Sequence, residues 1–195
     1  TLFGYIIGLP MGIVLTVTDK DGIRPNAAVY KVLDVISNLL RSIPFIILLI
    51  VLIPFTRFVV GRSYGSTATI VPLTIAAAPY IARMVESSLK EVDAGVIEAA
   101  RSMGASDFQI VTKVMLVEAR TSLIVGATIS LGTILGYSAM AGTVGGGGLG
   151  DIAIRYGYTR WQTDIMVVTV VLLVILFQIF QTIGMKLASN LDRRK

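Results

Sequence analysis

The amino-acid sequence predicts an all-α integral membrane protein with five transmembrane helices and a cytoplasmic helix pair between the third and fourth of them. Three observations support this fold class. Of the 195 residues, 54% are hydrophobic and 15% are charged, whereas soluble domains average about 45–50% and about 25%. Five apolar stretches approach the roughly 20 residues that a helix needs to cross the hydrocarbon core. One long polar segment, residues 90–118, separates the third stretch from the fourth.

The five apolar stretches are predicted to be helices, because a backbone in lipid must satisfy its hydrogen bonds within the segment itself. They cover residues 1–18, 36–60, 67–89, 119–142 and 163–186. The first stretch lacks the basic region and the small-residue cleavage site of a signal peptide, which favours a membrane span truncated at its N-terminus. We expect residues 1–195 to form one transmembrane domain.

The amino-acid composition excludes several kinds of chemical site. The chain contains no cysteine and no histidine, so disulfides, thiolates, the commonest metal ligand and the commonest general base are absent. We expect no metal site, no catalytic residue and no enzyme activity on this chain. The net charge of +5 comes mostly from basic residues beside the apolar stretches. That placement indicates membrane topology, and we expect no nucleic-acid partner.

The distribution of Lys and Arg predicts the orientation. Segments 19–34, 90–120 and 186–195 hold eleven of these residues, while the loops on the opposite side hold four. Short cytoplasmic loops carry the excess of Lys and Arg. The sequence therefore predicts an N-terminus outside, a C-terminus in the cytoplasm, and a cytoplasmic location for the polar segment.

Capping signals within the polar segment predict two short helices over residues 93–118. Asp93 suits the N-cap of a helix over 94–103. Gly104 follows at the position where helices commonly end in a left-handed residue. Ser106 and Gln109 then have the spacing of a capping box for the second helix. The expected corner lies at Gly104 and Ala105.

The first of these helices suits close contact with another surface. Ala99 and Ala100 leave one side of it smooth, and Glu98 lies one turn from Arg101, so those two charges can pair with each other or with a partner. Two interpretations remain open on physical grounds alone. The segment is either an amphipathic hairpin on the membrane surface or a docking element for a partner protein.

The stretch EAARSMG at residues 98–104, with VML at 114–116, closely resembles the EAA motif of ABC-importer permeases. Val117 stands where that motif has proline, and we expect the second helix to run on towards the fourth span. The stretches at 41–57, 70–86 and 136–158 are similar to permeases of the methionine-importer subgroup.

The resemblance implies a permease subunit that forms the path for D- or L-methionine in the bacterial inner (cytoplasmic) membrane. It implies pairing with a second copy, two cytoplasmic ATP-binding subunits that hold ATP and Mg, and an extracytoplasmic substrate-binding protein, with no cofactor on this chain. The implied ATPase-coupling residues are Glu98, Ala99, Ala100, Arg101, Met103, Gly104 and Ala105. The alternatives are a permease for another amino acid or small solute, a secondary transporter, or a membrane assembly subunit that does not transport.

Two weaker candidates lie further along the chain. Tyr137, Ser138 and Met140 are candidates for the translocation path, with ordinary helix packing as the alternative. Gly145, Gly147 and Gly150 match a dinucleotide-binding pattern, but no strand precedes them and no acid follows about 20 residues later. We therefore expect an outer glycine-rich turn, either near a docking surface or as a simple flexible connector.

Arg83 and Glu86 lie one turn apart near the inner end of the third span. Ionisable residues within spans are functional candidates, but both side chains are long enough to reach the interface. We favour a structural ion pair.

Overall fold

The computed structural model describes residues 1–191, which form helices joined by turns, with no β-strand in that range. The predicted all-α fold is confirmed. The helices are α1 Leu2–Thr18, α2 Ala27–Ser42, α3 Phe45–Val51, α4 Ile53–Val60, α5 Ser66–Lys90, α6 Ala94–Ser102, α7 Asp107–Gln109, α8 Leu116–Glu118, α9 Arg120–Ala141, α10 Gly148–Ile152 and α11 Thr163–Leu191. π-helical turns span Ile110–Met115 and Ala153–Tyr158, and a 3₁₀ turn spans Gly142–Val144. The basic residues Arg193, Arg194 and Lys195, used for orientation, lie outside the described residues.

Three helices within residues 1–191 are long and apolar enough to cross a membrane: α5, α9 with its 3₁₀ extension, and α11. The pair α2 and α3 meets the same criteria together but is bent by 104°. The apolar helix α1 has 17 residues. By length and composition, this part of the chain therefore contains three spans, or four if the bent pair counts as one.

The prediction of one helix over residues 36–60 is wrong. Ile43, with φ −84° and ψ 124°, is extended, because the ring of Pro44 disfavours the helical region for the residue before it. A second break falls at Leu52. Pro54 follows in the first turn of α4. Proline is tolerated there because the N–H groups of a first turn make no hydrogen bond within the helix.

The helix α5 lies at the centre of the fold and packs against α1, α2 and α9. The contact between α1 and α5 is close because glycines of α1 face α5. A Cβ added at Gly8 would lie 2.6 Å from the carbonyl oxygen of Ala78, and one at Gly12 would lie 2.5 Å from that of Ala82. Small residues of this kind let two membrane helices approach closely without a strong hydrophobic drive.

The glycine-rich segment folds back against the membrane helices. Gly145 and Gly147 both have φ of 76°, which L-residues rarely adopt. Gly150 is buried against the backbone of Ala139, where a Cβ would collide with the carbonyl oxygen. Residues 148–158 are helical and pack back against α9 and α11.

Candidate functional site

The polar segment forms the two capped helices that its sequence predicts. Asp93 Oδ1 accepts a hydrogen bond of 2.8 Å from the backbone N–H of Gly95, and α6 begins at the next residue after the cap. Ser106 Oγ accepts from the N–H of Gln109 at 3.3 Å, and Gln109 Oε1 accepts from the N–H of Ser106 at 2.9 Å. These bonds satisfy amides that a helix start leaves free.

The corner between the two helices is a Schellman motif. Gly104 has φ of 82°. Its N–H donates to the carbonyl of Arg101 at 3.0 Å, and the N–H of Ala105 donates to the carbonyl of Ala100 at 3.1 Å. Both bonds satisfy carbonyl groups in the last turn of α6 that have no partner within the helix. The corner therefore depends on a residue that adopts the left-handed region without strain.

The second helix runs on towards α9 through α7, a π-helical stretch and α8. One break remains at Ala119, where ψ is 1°. Val117, which stands where the motif has proline, is exposed and helical. The expected continuation is therefore present, with one interruption two residues after Val117.

Not all of the motif residues in this segment are exposed. Glu98 and Ala99 are exposed, Met103 is 82% exposed, and Phe108 is 76% exposed. Ala100 differs from the expectation, since it is only 5% exposed. It packs into an apolar cluster with side chains of α5 and the second helix, including Val85, Leu89 and Ile110. It therefore anchors α6 on the membrane domain.

Arg101 does not pair with Glu98. Its guanidinium donates a hydrogen bond of 3.0 Å to the carbonyl of Ile23, in the loop between α1 and α2. Within residues 1–191, Glu98 makes no ion pair. A cavity of about 570 Å³ lies between that loop, the end of α5 and α6. Arg101 therefore links α6 to the α1–α2 loop, and the exposed side chain of Glu98 lines the same cavity.

Behind this loop lies a group of charged side chains, the ionic cluster: Asp19, Asp34, Arg83, Glu86 and Lys90. The expected pair forms, with Arg83 Nη1 2.6 Å from Glu86 Oε2. Arg83 also donates to the carboxylate of Asp34 in α2. Lys90 Nζ lies 2.8 Å from Glu86 Oε1 and 2.6 Å from Asp19 Oδ2.

The ionic cluster joins α2, α5 and the residue that ends α1. Glu86 is only 4% exposed, and it also accepts a hydrogen bond of 3.4 Å from the hydroxyl of Tyr30. The hydrogen bond from the Lys90 ammonium lowers the pKa of the Asp19 carboxyl below its ordinary value. Sequence spacing predicts only the Arg83–Glu86 part, because Asp19 and Asp34 come from distant segments.

The three candidates for the translocation path do not share a face. The Tyr137 ring stacks on Phe45 of α3, with ring centroids 4.7 Å apart and planes at 10°. Ser138 and Met140 are exposed. Two residues of separation on an α-helix correspond to roughly 200°, so Ser138 and Met140 point to opposite sides of α9. Tyr137 joins α9 to α3 by packing.

Comparison with known proteins identifies the class. Residues 7–195 match the family model described as binding-protein-dependent transport system inner membrane component. The chain belongs to this family.

Within the family, the relatives and the solved structures agree. The chain is 50% identical to the probable D-methionine transport system permease protein MetI of Vibrio cholerae, covering 98% of this chain and 85% of that one. It is 48% identical to the Pasteurella multocida protein of the same name, over 100% and 89%. An inward-facing structure of the MetNI methionine ABC transporter has a TM-score of 0.96 at 52% identity, covering 98% and 89%. The predicted resemblance to ABC-importer permeases of the methionine subgroup is confirmed.

A more distant structure shares the fold alone. An amino acid ABC transporter crystallised with histidines has a TM-score of 0.72 at 22% identity, covering 100% of this chain and 88% of that one.

Proposed function

We propose that this chain is the permease subunit of an ATP-driven methionine importer of a bacterial inner membrane, and that it forms the translocation path together with a second copy. The proposal rests on the relatives at 48–50% identity, which carry D-methionine permease names and match nearly the whole chain. ATP and Mg are held by two cytoplasmic ATP-binding subunits. A substrate-binding protein delivers methionine from outside.

One observation supports energy coupling through α6. The chain buries one side of this helix in its own apolar cluster and leaves Glu98, Ala99 and Met103 exposed beside a Schellman corner. The small Ala99 permits close approach of another backbone, while Glu98 offers an unpaired carboxylate and Met103 an adaptable apolar contact. This surface is the proposed contact with the ATP-binding subunit.

The proposed topology has five spans. They are α1, the broken α2–α4 unit, α5, α9 and α11, with the N-terminus outside and the C-terminus in the cytoplasm. The charge count supports this orientation because it places α6 on the cytoplasmic side. The turn with Gly145 and Gly147 then lies outside, where it is available to the substrate-binding protein.

Transport follows from a change between two arrangements of the membrane helices. ATP binding draws the ATP-binding subunits together and moves α6. Arg101 and the ionic cluster pass this movement to the α1–α2 loop and to α5. ATP shifts the population because it binds the two arrangements with different affinity. Hydrolysis returns the permease to its inward-facing arrangement.

Reconstitution into vesicles with the ATP-binding subunit and the binding protein tests this proposal. We expect ATP-dependent uptake of labelled methionine, lost in Glu98→Ala and Gly104→Pro. A cysteine at Ala99 is expected to crosslink to the ATP-binding subunit, whereas one at Thr67, on an exposed part of α5 proposed to lie outside, is not. Undiminished uptake in both variants, without a crosslink, would contradict the coupling role.

The same assay tests the substrate. Unlabelled D- and L-methionine are expected to compete with the label, and other amino acids or small solutes are not. Stronger competition by another amino acid would replace methionine as the substrate. Uptake that needs no ATP would indicate a secondary transporter, and a chain that assembles without uptake would indicate an assembly subunit.

A further inference from the structure

Arg41 carries a positive charge deep within the membrane domain. It lies in the last turn of α2 and is exposed, and its Cζ atom is 6.0 Å from the ring centroid of Tyr80 in α5. α5 has 25 residues, and Tyr80 lies two residues, or about 3 Å along the axis, from its midpoint. A hydrocarbon core about 30 Å thick and centred on α5 therefore extends roughly 12 Å beyond this level on the nearer side. Arg41 is thus too deep to be an interfacial residue.

The protein supplies no carboxylate for Arg41. Within residues 1–191 the Arg41 side chain makes no ion pair. Asp34 and Glu86 are the only acids of this range inside the proposed spans beyond their first turns. Asp34 accepts from Arg83, and Glu86 lies between Arg83 and Lys90, so both are already compensated. A cation facing lipid at this depth is costly, which leaves water or a ligand as its neighbour.

An exposed polar stripe joins Arg41 to the beginning of α2. Lys31, Asn38 and Ser42 are all exposed, and with 3.6 residues per turn they lie within about 100° of Arg41 on one side of the helix. The adjoining exposed face of α2 is apolar and carries Val32, Val35, Ile36 and Leu39. Polar side chains that reach from the proposed cytoplasmic end to mid-membrane are typical of a helix that borders a water-filled path.

The break after α2 leaves a free acceptor beside Arg41. Ile43 is extended, and α2 ends at Ser42. Pro44 has no N–H for the carbonyl of Leu40, four residues earlier. Free carbonyls at the C-terminus of a helix carry partial negative charge, and in broken membrane helices they bind cations. A fixed cation and a free carbonyl on adjacent residues are complementary to a zwitterion.

We propose that Arg41 binds the α-carboxylate of the transported amino acid near the middle of the membrane, with the ammonium group at the carbonyl of Leu40. The inference rests on the proposed function and adds a substrate contact within the permease itself. A guanidinium offers paired donors to a carboxylate, and its contact with Tyr80 limits its movement. Neither contact involves the side chain of the ligand, so the site recognises amino acids as a class.

Thiol labelling with substrate protection tests this site, because the 195 residues contain no cysteine. Ser42→Cys is introduced into the complete transporter in vesicles, and a water-soluble methanethiosulfonate reagent is added on both sides. The matched control is Ile36→Cys, about 120° away around α2. We expect Ser42→Cys to react at least about tenfold faster, because the reactive thiolate needs water.

The ligand chemistry follows from what slows this labelling. Methionine, added on both sides, is expected to protect Ser42→Cys, whereas methioninol, which lacks the carboxylate, is not. N-acetylmethionine keeps the carboxylate but lacks the ammonium, so we expect it to protect only at higher concentration. Protection by methioninol equal to that by methionine would overturn the role of Arg41, and equal protection by N-acetylmethionine would overturn the role of the Leu40 carbonyl.

Variants of Arg41 in the Ser42→Cys chain test the contact itself. Arg41→Gln is expected to raise the protecting concentration of methionine at least about tenfold, because a hydrogen bond to a charged group is lost. Arg41→Lys keeps the charge, so we expect a smaller rise. An unchanged concentration in Arg41→Gln would overturn the inference. An equal rise in both variants would assign Arg41 to packing on Tyr80 and would also overturn it.

The remaining outcomes separate this inference from the proposed function. An unreactive Ser42→Cys would indicate that lipid or protein covers the stripe, which overturns the inference. ATP-dependent methionine uptake is measured on vesicles with the native chain. Methionine uptake without protection of Ser42→Cys refutes the Arg41 contact alone. Protection by another amino acid, without methionine uptake, refutes the proposed substrate alone.

Discussion

Replacing Glu86 by alanine is expected to destabilise the membrane domain more than any exposed charge change. The carboxylate of Glu86 has one oxygen 2.6 Å from Arg83 and the other 2.8 Å from Lys90, and the residue is 4% exposed. Removing one partner of a buried pair costs about 3–5 kcal/mol, because the remaining charge loses its compensation. Arg83 retains Asp34 and Lys90 retains Asp19, so we expect about 3 kcal/mol, the lower end of that range.

Thermal unfolding of the detergent-solubilised transporter measures this effect. For chains of 150–250 residues, 1 kcal/mol shifts Tm by about 2–4 °C, so a loss of 3 kcal/mol corresponds to roughly 6–12 °C. The matched control is Asp21→Ala, which removes a pair of 3.7 Å with Lys20, in which both side chains are more than 80% exposed. Such a pair contributes about 1 kcal/mol or less. Equal Tm shifts in the two variants would refute the reasoning that burial makes the ionic cluster strong.

Three further predictions concern the corner, the helix contact and the ionic cluster. Gly104→Ala is expected to lower the free energy of unfolding by about 1–2 kcal/mol, because an L-residue at φ of 82° is strained. Gly104→Asn is expected to lower it less, because asparagine tolerates the left-handed region better. Equal Tm values for the two variants would argue against strain. Gly8→Leu is expected to lower Tm, because the added side chain overpacks against Ala78. Gly136→Ala is the control, because an added Cβ at Gly136 meets open space and leaves the α1–α5 contact intact. A native Tm for Gly8→Leu would contradict the close α1–α5 contact. Since the folded-state pKa of Asp19 is lowered, its pairing stabilises the fold above the ordinary pKa of 3.8 and is lost as pH falls through the folded value. A Tm measured against pH is therefore expected to fall less steeply in acid for Asp19→Asn than for the native chain, and identical slopes would contradict the pairing.

The features that sequence predicts well here depend on neighbours in the chain. The caps at Asp93 and Ser106 and the left-handed corner at Gly104 use hydrogen bonds between residues two to five positions apart. Residue types at fixed spacing specify such bonds directly.

The features that sequence does not predict depend on distant segments. Arg83 meets Asp34 across 49 positions, and no spacing rule joins them. The burial of Ala100 reflects how α6 docks against Leu89 and Ile110, which tertiary packing decides. The prolines at 44 and 54 predict kinks, but the 104° bend between α2 and α3 also depends on how each half packs against α5.

The different environments of neighbouring residues on α6 are consistent with its proposed role in coupling. Ala100 is held in the apolar cluster and Arg101 holds the α1–α2 loop, whereas Glu98 and Ala99 are exposed. In the proposed complex, we expect a partner that pulls on Glu98 and Ala99 to move the core end of α5 and the α1–α2 loop together, because the anchors of α6 lie within one turn of these residues. If α6 were attached only through its flanking turns, the same pull would be absorbed at the Gly104 corner. In this proposal, the buried Ala100 is the point at which the force enters the membrane domain.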